Sequence, residues 1–101
     1  MPVCREVTID KIEKDKFYTV SYTVKPKAAC KVFYVFAGPA DYLTGMYDEQ
    51  IRYVMKNGVK QTTTYSGSVY GTLPTNINVT WMDEEGRFYE VSKTVVEAPA
   101  Q

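Results

Sequence analysis

"KVFYVFAGPADYLTGMYDEQIRYVMKNGVK", Lys31 to Lys60, opens like a buried β-strand and turns into a short helix. Val32 to Ala37 is almost unbroken in apolar and aromatic side chains, the pattern of a central strand covered on both faces. Gly38-Pro39 ends it. Asp48 reads as a helix N-cap, with Glu49 and Gln50 in the first turn, where acidic charge meets the positive end of the helix dipole. Ile51, Val54 and Met55 recur at three- and four-residue spacing, and Tyr47 lies on the same face. Asn57-Gly58 is a helix stop. A helix this short is marginal alone in water, so its apolar stripe must dock. We expect it to close one end of a sheet structure, or to cover a strand edge that would otherwise pair with another chain. Arg52 and Tyr53 are expected on its outward side.

The flanking sequence reads as strand. Val7, Ile9 and Ile12 mark a first strand over roughly residues 4–12, with spacing near Ile12 that predicts a bulge. Glu13–Lys16 is a charged turn. Phe17–Lys25 alternates: Tyr18, Val20, Tyr22 and Val24 on one face, Thr19, Ser21 and Thr23 on the other. A loop runs from Pro26 to Cys30. Beyond the helix, "KQTTTYSGSVYGTL" predicts two short strands around Ser66-Gly67, and Pro74–Asn76 a turn. "INVTWM" points Ile77, Val79 and Trp81 inward, Asp83–Gly86 is a hairpin turn, and the last strand sets Tyr89, Val91 and Val95 on one face. About seven short strands between turn signals predict an all-β, immunoglobulin-like antiparallel β-sandwich with a short helical insertion after the third strand. The 101 residues hold a single domain, core about 4–97, with 98–101 the start of a linker.

Composition removes several function classes. Twelve basic and twelve acidic residues balance, which disfavours nucleic acid as a partner because phosphate neutralisation needs a basic surplus or face. Lys25, Lys27 and Lys31 are the densest basic group and read as a solvated loop. The chain has no histidine, hence neither the commonest general base nor the commonest metal ligand. Two cysteines cannot build a four-ligand zinc site. Asp83, Glu84 and Glu85 lack the spacing of a calcium loop. No cofactor and no metal are expected. Thr62–Thr64 and Ser66–Ser68 are rich in hydroxyls with no histidine to activate them, so the chain does not read as an enzyme. A deep cleft uniting Asp41 and Asp48 would revive that reading. Asn78-Val79-Thr80 matches a glycosylation acceptor but falls inside a strand. No stretch is apolar and long enough to span a membrane, and no apolar run precedes Cys4, so no signal peptide is read. The chain then reads either as cytosolic or as a piece excised from a longer exported protein; the abrupt start fits the second, with Met1 added.

Cys4 and Cys30 leave two readings open. If the first two strands form a hairpin about Lys14-Asp15, Cys4 lies opposite Lys25 and Cys30 follows across a loop. A disulfide then requires Cα atoms within about 7 Å and adds about 3 kcal/mol in the chain-entropy picture. Two free thiols are the other reading. Nine tyrosines are many for this length. Tyr18, Tyr22 and Tyr34 fit the core or a sheet face. Tyr42, Tyr47, Tyr53, Tyr65, Tyr70 and Tyr89 are not all needed inside. Exposed tyrosines suit protein or sugar recognition, whereas cross-strand pairing and helix docking also use them. Tyr42, Tyr47, Arg52 and Tyr53, around the helical insertion, are the candidate ligand-binding residues.

From "KVFYVFAG" to "EVSKTVV" the chain resembles the fibronectin type III-like domains of exported Bacteroidetes proteins, many of them lipoproteins. The resemblance rests on Cys30 leading into Phe33-Tyr34-Val35-Phe36 and on a helical insertion from Asp48 to Gly58. It rests also on the Leu73-Pro74 turn, on Val79-Thr80-Trp81, and on the acidic turn Asp83–Gly86. One departure is Ile77, where such sandwiches carry a corner tyrosine. The resemblance implies a non-catalytic structural or interaction module of a larger bacterial surface or secreted protein. Its setting would be extracellular or periplasmic. Its partners would be other domains of the parent chain, with protein or glycan beyond them. A membrane would be met only through a parent-chain anchor, and the isolated domain would be a monomer.

Overall fold

The structure, a computed structural model, describes residues 5–26, 32–39, 47–82, 86 and 92–97. The first hairpin joins β1 (Arg5–Lys14) to β2 (Tyr18–Pro26). Its register pairs Arg5 with Pro26 and Lys14 with Tyr18, and it slips between Ile9 and Lys11. The irregularity expected near Ile12 thus lies two residues earlier, at Asp10. The turn sits over Asp15–Phe17, so Lys25 faces Glu6, not Cys4 as a turn about Lys14-Asp15 would have it. Asp15 makes this turn: its Oδ1 accepts the Phe17 N–H at 2.9 Å, and its own N–H donates to the Phe17 carbonyl at 2.9 Å. Cys4 and Cys30 both lie outside the described residues.

β3 (Val32–Pro39) is followed by α1 (Tyr47–Asn57), β4 (Val59–Gln61), β5 (Tyr65–Gly71), β6 (Thr75–Met82) and β7 (Ser92–Val96). All pairings are antiparallel and form two sheets, β1-β2-β5 and β4-β3-β6-β7. One core lies between them: Val20, Tyr22 and Val24 from β2, Phe33 and Val35 from β3, Ile77, Val79 and Trp81 from β6, and Val96 from β7. The architecture is mostly β, two antiparallel sheets around a shared core with one short helix. Each buried aliphatic or aromatic side chain contributes roughly 1.5–3 kcal/mol of transfer free energy, so this cluster holds the sheets together.

Alternation places the core side chains of β2 and β6 as expected, Thr75 and Asn76 open β6 instead of completing the expected Pro74–Asn76 turn, and three larger expectations change. Ser66-Gly67 does not divide two strands; β5 runs straight through it, and the break falls at Thr62–Thr64. Glycine serves packing here. A Cβ at Gly67 would lie 2.8 Å from the Tyr65 hydroxyl and 3.0 Å from that of Tyr22. In β7 the inward residue is Val96; Val95 is 54% exposed. Two adjacent valines carry no alternation to tell them apart. Tyr89 and Val91 lie outside the described residues, whereas Gly86, expected to finish the hairpin turn, has φ 84°, a conformation glycine adopts without steric cost.

The third change concerns α1, which caps neither an end nor an edge. Phe33 and Val35 face the core, so Tyr34 and Phe36 point to the opposite face of the four-stranded sheet. There α1 packs, with Val54 fully buried against Tyr34, Phe36, Ile51 and Tyr53. The near-continuous apolar run of β3 follows from this: one face is in the core and the other lies under the helix. Asp48 falls inside the first turn of the helix, beside Glu49, rather than before it.

Candidate functional site

The residues expected around the helix are only partly brought together. Tyr42 lies outside the described residues, and Tyr47 is the first residue of α1. Arg52 is exposed on the helix. Tyr53, expected outward, is half-buried, its ring edge-on to Phe36 with centroids 5.2 Å apart. The buried stripe is thus wider than Tyr47, Ile51, Val54 and Met55 suggest, for it includes Gln50 and half of Tyr53. The outward surface of α1 is Asp48, Glu49, Arg52, Lys56 and Asn57, all exposed. It is a polar, mixed-charge surface.

Beneath the helix, the outer face of β6 is polar and closed. Asn76, Asn78 and Thr80 are buried there, and the Asn78 amide donates to the Phe36 carbonyl at 3.0 Å. The glycosylation pattern at Asn78 is therefore inaccessible in the folded chain. Thr75 starts β6 with its hydroxyl donating to the Gly38 carbonyl at 2.5 Å. That bond ties the Leu73-Pro74 turn to the end of β3.

Sequence reasoning did not single out the opposite sheet's turn, where two exposed aromatics among the described residues meet. Phe17 is 44% and Tyr70 55% exposed, with ring centroids 5.7 Å apart and planes at 84°. The Tyr70 hydroxyl donates to Asp15 Oδ1 at 2.8 Å. The Phe17 N–H, the Tyr70 hydroxyl and neighbouring backbone bonds hold the Asp15 carboxyl below its ordinary range, and the carboxylate in turn holds the Tyr70 phenol above its own. Lys14 extends over the Tyr18 ring at 5.5 Å. Next to this turn a cavity of about 50 Å³ opens between the sheets, lined by Tyr18, Val20, Pro39, Val69, Leu73 and Thr75 among others. Its walls are mainly apolar, and Tyr18 and Tyr70 are the ionisable side chains in its lining. The signal for this group was legible only in part: Phe17 and Tyr70 are far apart in sequence, and the β2–β5 register, Thr19 opposite Tyr70, joins them.

No family model, no curated protein and no solved structure matches this chain. The site must be read from its own chemistry.

The exposed groups of the turn and the helix include aromatic and charged side chains of the kind that take part in binding. Among the described residues no three acids or cysteines converge as metal ligands. Asp48 is exposed on the helix, and Asp41 lies outside the described residues. Asp83, Glu84, Glu85, Lys27 and Lys31 lie outside them as well. Tyr22, deep in the core, has its phenol pushed up to about 12, first by burial and then by the neighbouring Tyr65. Its role is packing.

Proposed function

We propose that this chain is a non-catalytic, fibronectin type III-like module that spaces or presents neighbouring parts of a larger protein. One observation carries the reading: the chain enters and leaves the two-sheet body at opposite ends. Arg5, at the start of β1, pairs with Pro26. Val96, at the close of β7, pairs with Thr75, which also pairs with Pro39 and lines the cavity with Tyr18 and Gly71. Tyr18 is at the far end of the first hairpin from Pro26. A module with this course extends a chain where one with adjacent termini would loop it out. The strand order supports the fibronectin type III form of the sandwich. β4 joins β3 in the second sheet, whereas in the constant immunoglobulin form the fourth strand joins the first sheet. The bacterial, exported setting is drawn from the sequence resemblance and is proposed with it.

The test is distance. With a folded reporter domain fused at each end, small-angle scattering and energy transfer are expected to report ends held about 30 Å apart, from ten strand residues at about 3.3 Å each. Ends that approach each other, or a distribution as broad as that of a flexible linker, would sink the spacer reading.

A second reading, binding of a glycan or peptide, is favoured by the exposed Phe17–Tyr70 pair, since aromatic faces suit both ligands. Saturable amide shifts at Phe17 and Tyr70 on glycan or peptide titration would establish it. Shifts confined to Arg52 and Tyr53 would return the site to the helix.

A further inference from the structure

Four edge strands stand among the described residues, β1 and β5 on one sheet, β4 and β7 on the other. They are not alike. β1 carries Glu6, Asp10, Lys11, Glu13 and Lys14 and a register slip after Ile9. Charges and bulges of this kind keep an edge from pairing with another chain. β4 has three residues and β7 five. β5, Tyr65–Gly71, has seven residues with no charge and no proline, and its register with β2 is unbroken. Its outer side presents backbone donors and acceptors with nothing in the sequence to deter a partner.

The sequence of β5 is complementary to itself. Laid antiparallel on a second copy about Ser68, Tyr65 faces Gly71, Ser66 faces Tyr70 and Gly67 faces Val69. Each of these three pairs sets a larger side chain against a small one, and Ser68 meets its own copy at the axis. The faces agree as well: Tyr65, Gly67, Val69 and Gly71 are half-buried, Ser66, Ser68 and Tyr70 exposed. Each pair therefore joins residues from the same face of the sheet. The fold already uses this device on the other side of β5, where Tyr22 faces Gly67 and Tyr18 faces Gly71, aromatic rings set against glycines. A Cβ at Gly71 would meet nothing within 4 Å, so there is room for the Tyr65 ring of a second copy.

We propose that β5 is a homodimerisation edge. Two copies pair β5 antiparallel about a twofold axis at Ser68, joining their β1-β2-β5 sheets into one. The contact is isologous and closes on itself, giving a dimer and not a filament. The inference rests on the sheet order and the β5 sequence, not on the spacer role, and the two fail separately.

Sedimentation velocity tests it, with loading concentrations raised to about 1 mM because a single strand pair buries a small interface. Wild-type chain is expected to show reversible monomer–dimer exchange. Ser68→Lys sets two ammonium groups opposite each other at the twofold axis and is expected to weaken the dimer about fivefold or more. Thr8→Lys, exposed on β1, leaves it unchanged. Ser68→Cys, oxidised in air, is expected to give a disulfide between copies at position 68 by peptide mapping. That cross-link is also the deciding measurement should circular dichroism show Ser68→Lys unfolded. A monomer at every concentration, a dimer indifferent to Ser68→Lys, equal weakening by Thr8→Lys, or cross-links that map β5 to another strand would each overturn the proposal.

Discussion

Gly58 is where the end of the helix, the start of β4 and the middle of β3 meet. Its N–H donates to the Val54 carbonyl at 2.8 Å, and the Asn57 side-chain amide donates to the Tyr53 carbonyl at 3.1 Å, so two carbonyls near the end of α1 are occupied. A Cβ at Gly58 would lie 2.5 Å from the carbonyl oxygens of both Val35 and Val54. Backbone on two sides cannot yield as a flexible side chain can. Gly58→Ala is therefore expected to cost about 2–3 kcal/mol, an overpacking penalty at the top of its usual range, read from urea unfolding at an unchanged m-value. Gly71→Ala, with nothing within 4 Å, should stay within about 1 kcal/mol of wild type. Equal losses at the two sites would refute the close-approach argument. Asn57-Gly58 was legible in the sequence as a helix stop on general grounds. The particular reason for glycine, the Val35 carbonyl, comes from a distant strand.

The helix as an element shows the same division. Spacing of Ile51, Val54 and Met55 predicts its docked side, and Val54 is its most buried residue. The surface it docks on was not legible, because an apolar stripe specifies an apolar partner and not which one. Tyr34 and Phe36 provide that partner on the outer face of β3. Tyr53 was missed as an inward residue because its ring meets Phe36 of β3, a contact that helix spacing does not show, and Gln50 because a polar side chain carries no apolar signal, though it is buried. Val54→Ala should lower stability by about 2 kcal/mol through lost packing and a residual cavity, whereas Arg52→Ala on the exposed side should change it by no more than about 0.5 kcal/mol. Paired thermal and chemical unfolding of the two variants measures the contrast. A Val54→Ala variant as stable as wild type would mean that α1 does not dock where the structure places it.

For the molecule as a whole, Tyr22 links both sheets to pH. It sits in the core shared by β2, β3, β6 and β7, and its phenol is raised from 10.0 to about 12 by burial and by Tyr65. The folded chain thus holds the proton more tightly than the unfolded chain. Below pH 10 both forms are neutral and the contribution is complete. As pH rises from 10 to about 12 the unfolded chain ionises first and stability falls, by roughly 3 kcal/mol in all at about 1.4 kcal/mol per unit. Denaturant unfolding across this range, with tyrosinate absorbance followed in parallel, should show the loss, and Tyr22→Phe should remove this part of the slope. A flat profile in wild type would mean that Tyr22 is solvated. The sequence alone determined the strand faces of β2 and β6, the covering of β3 on both sides, the presence of a helix and its apolar stripe, and the want of a histidine-based chemistry, because these depend on residue type and local period. Only the tertiary structure decided the grouping of strands into two sheets, the face on which α1 lies, the meeting of Phe17 with Tyr70, and the exposure of an uncharged β5 edge. Those depend on register and on contacts between residues far apart in the chain, and local pattern leaves such contacts degenerate.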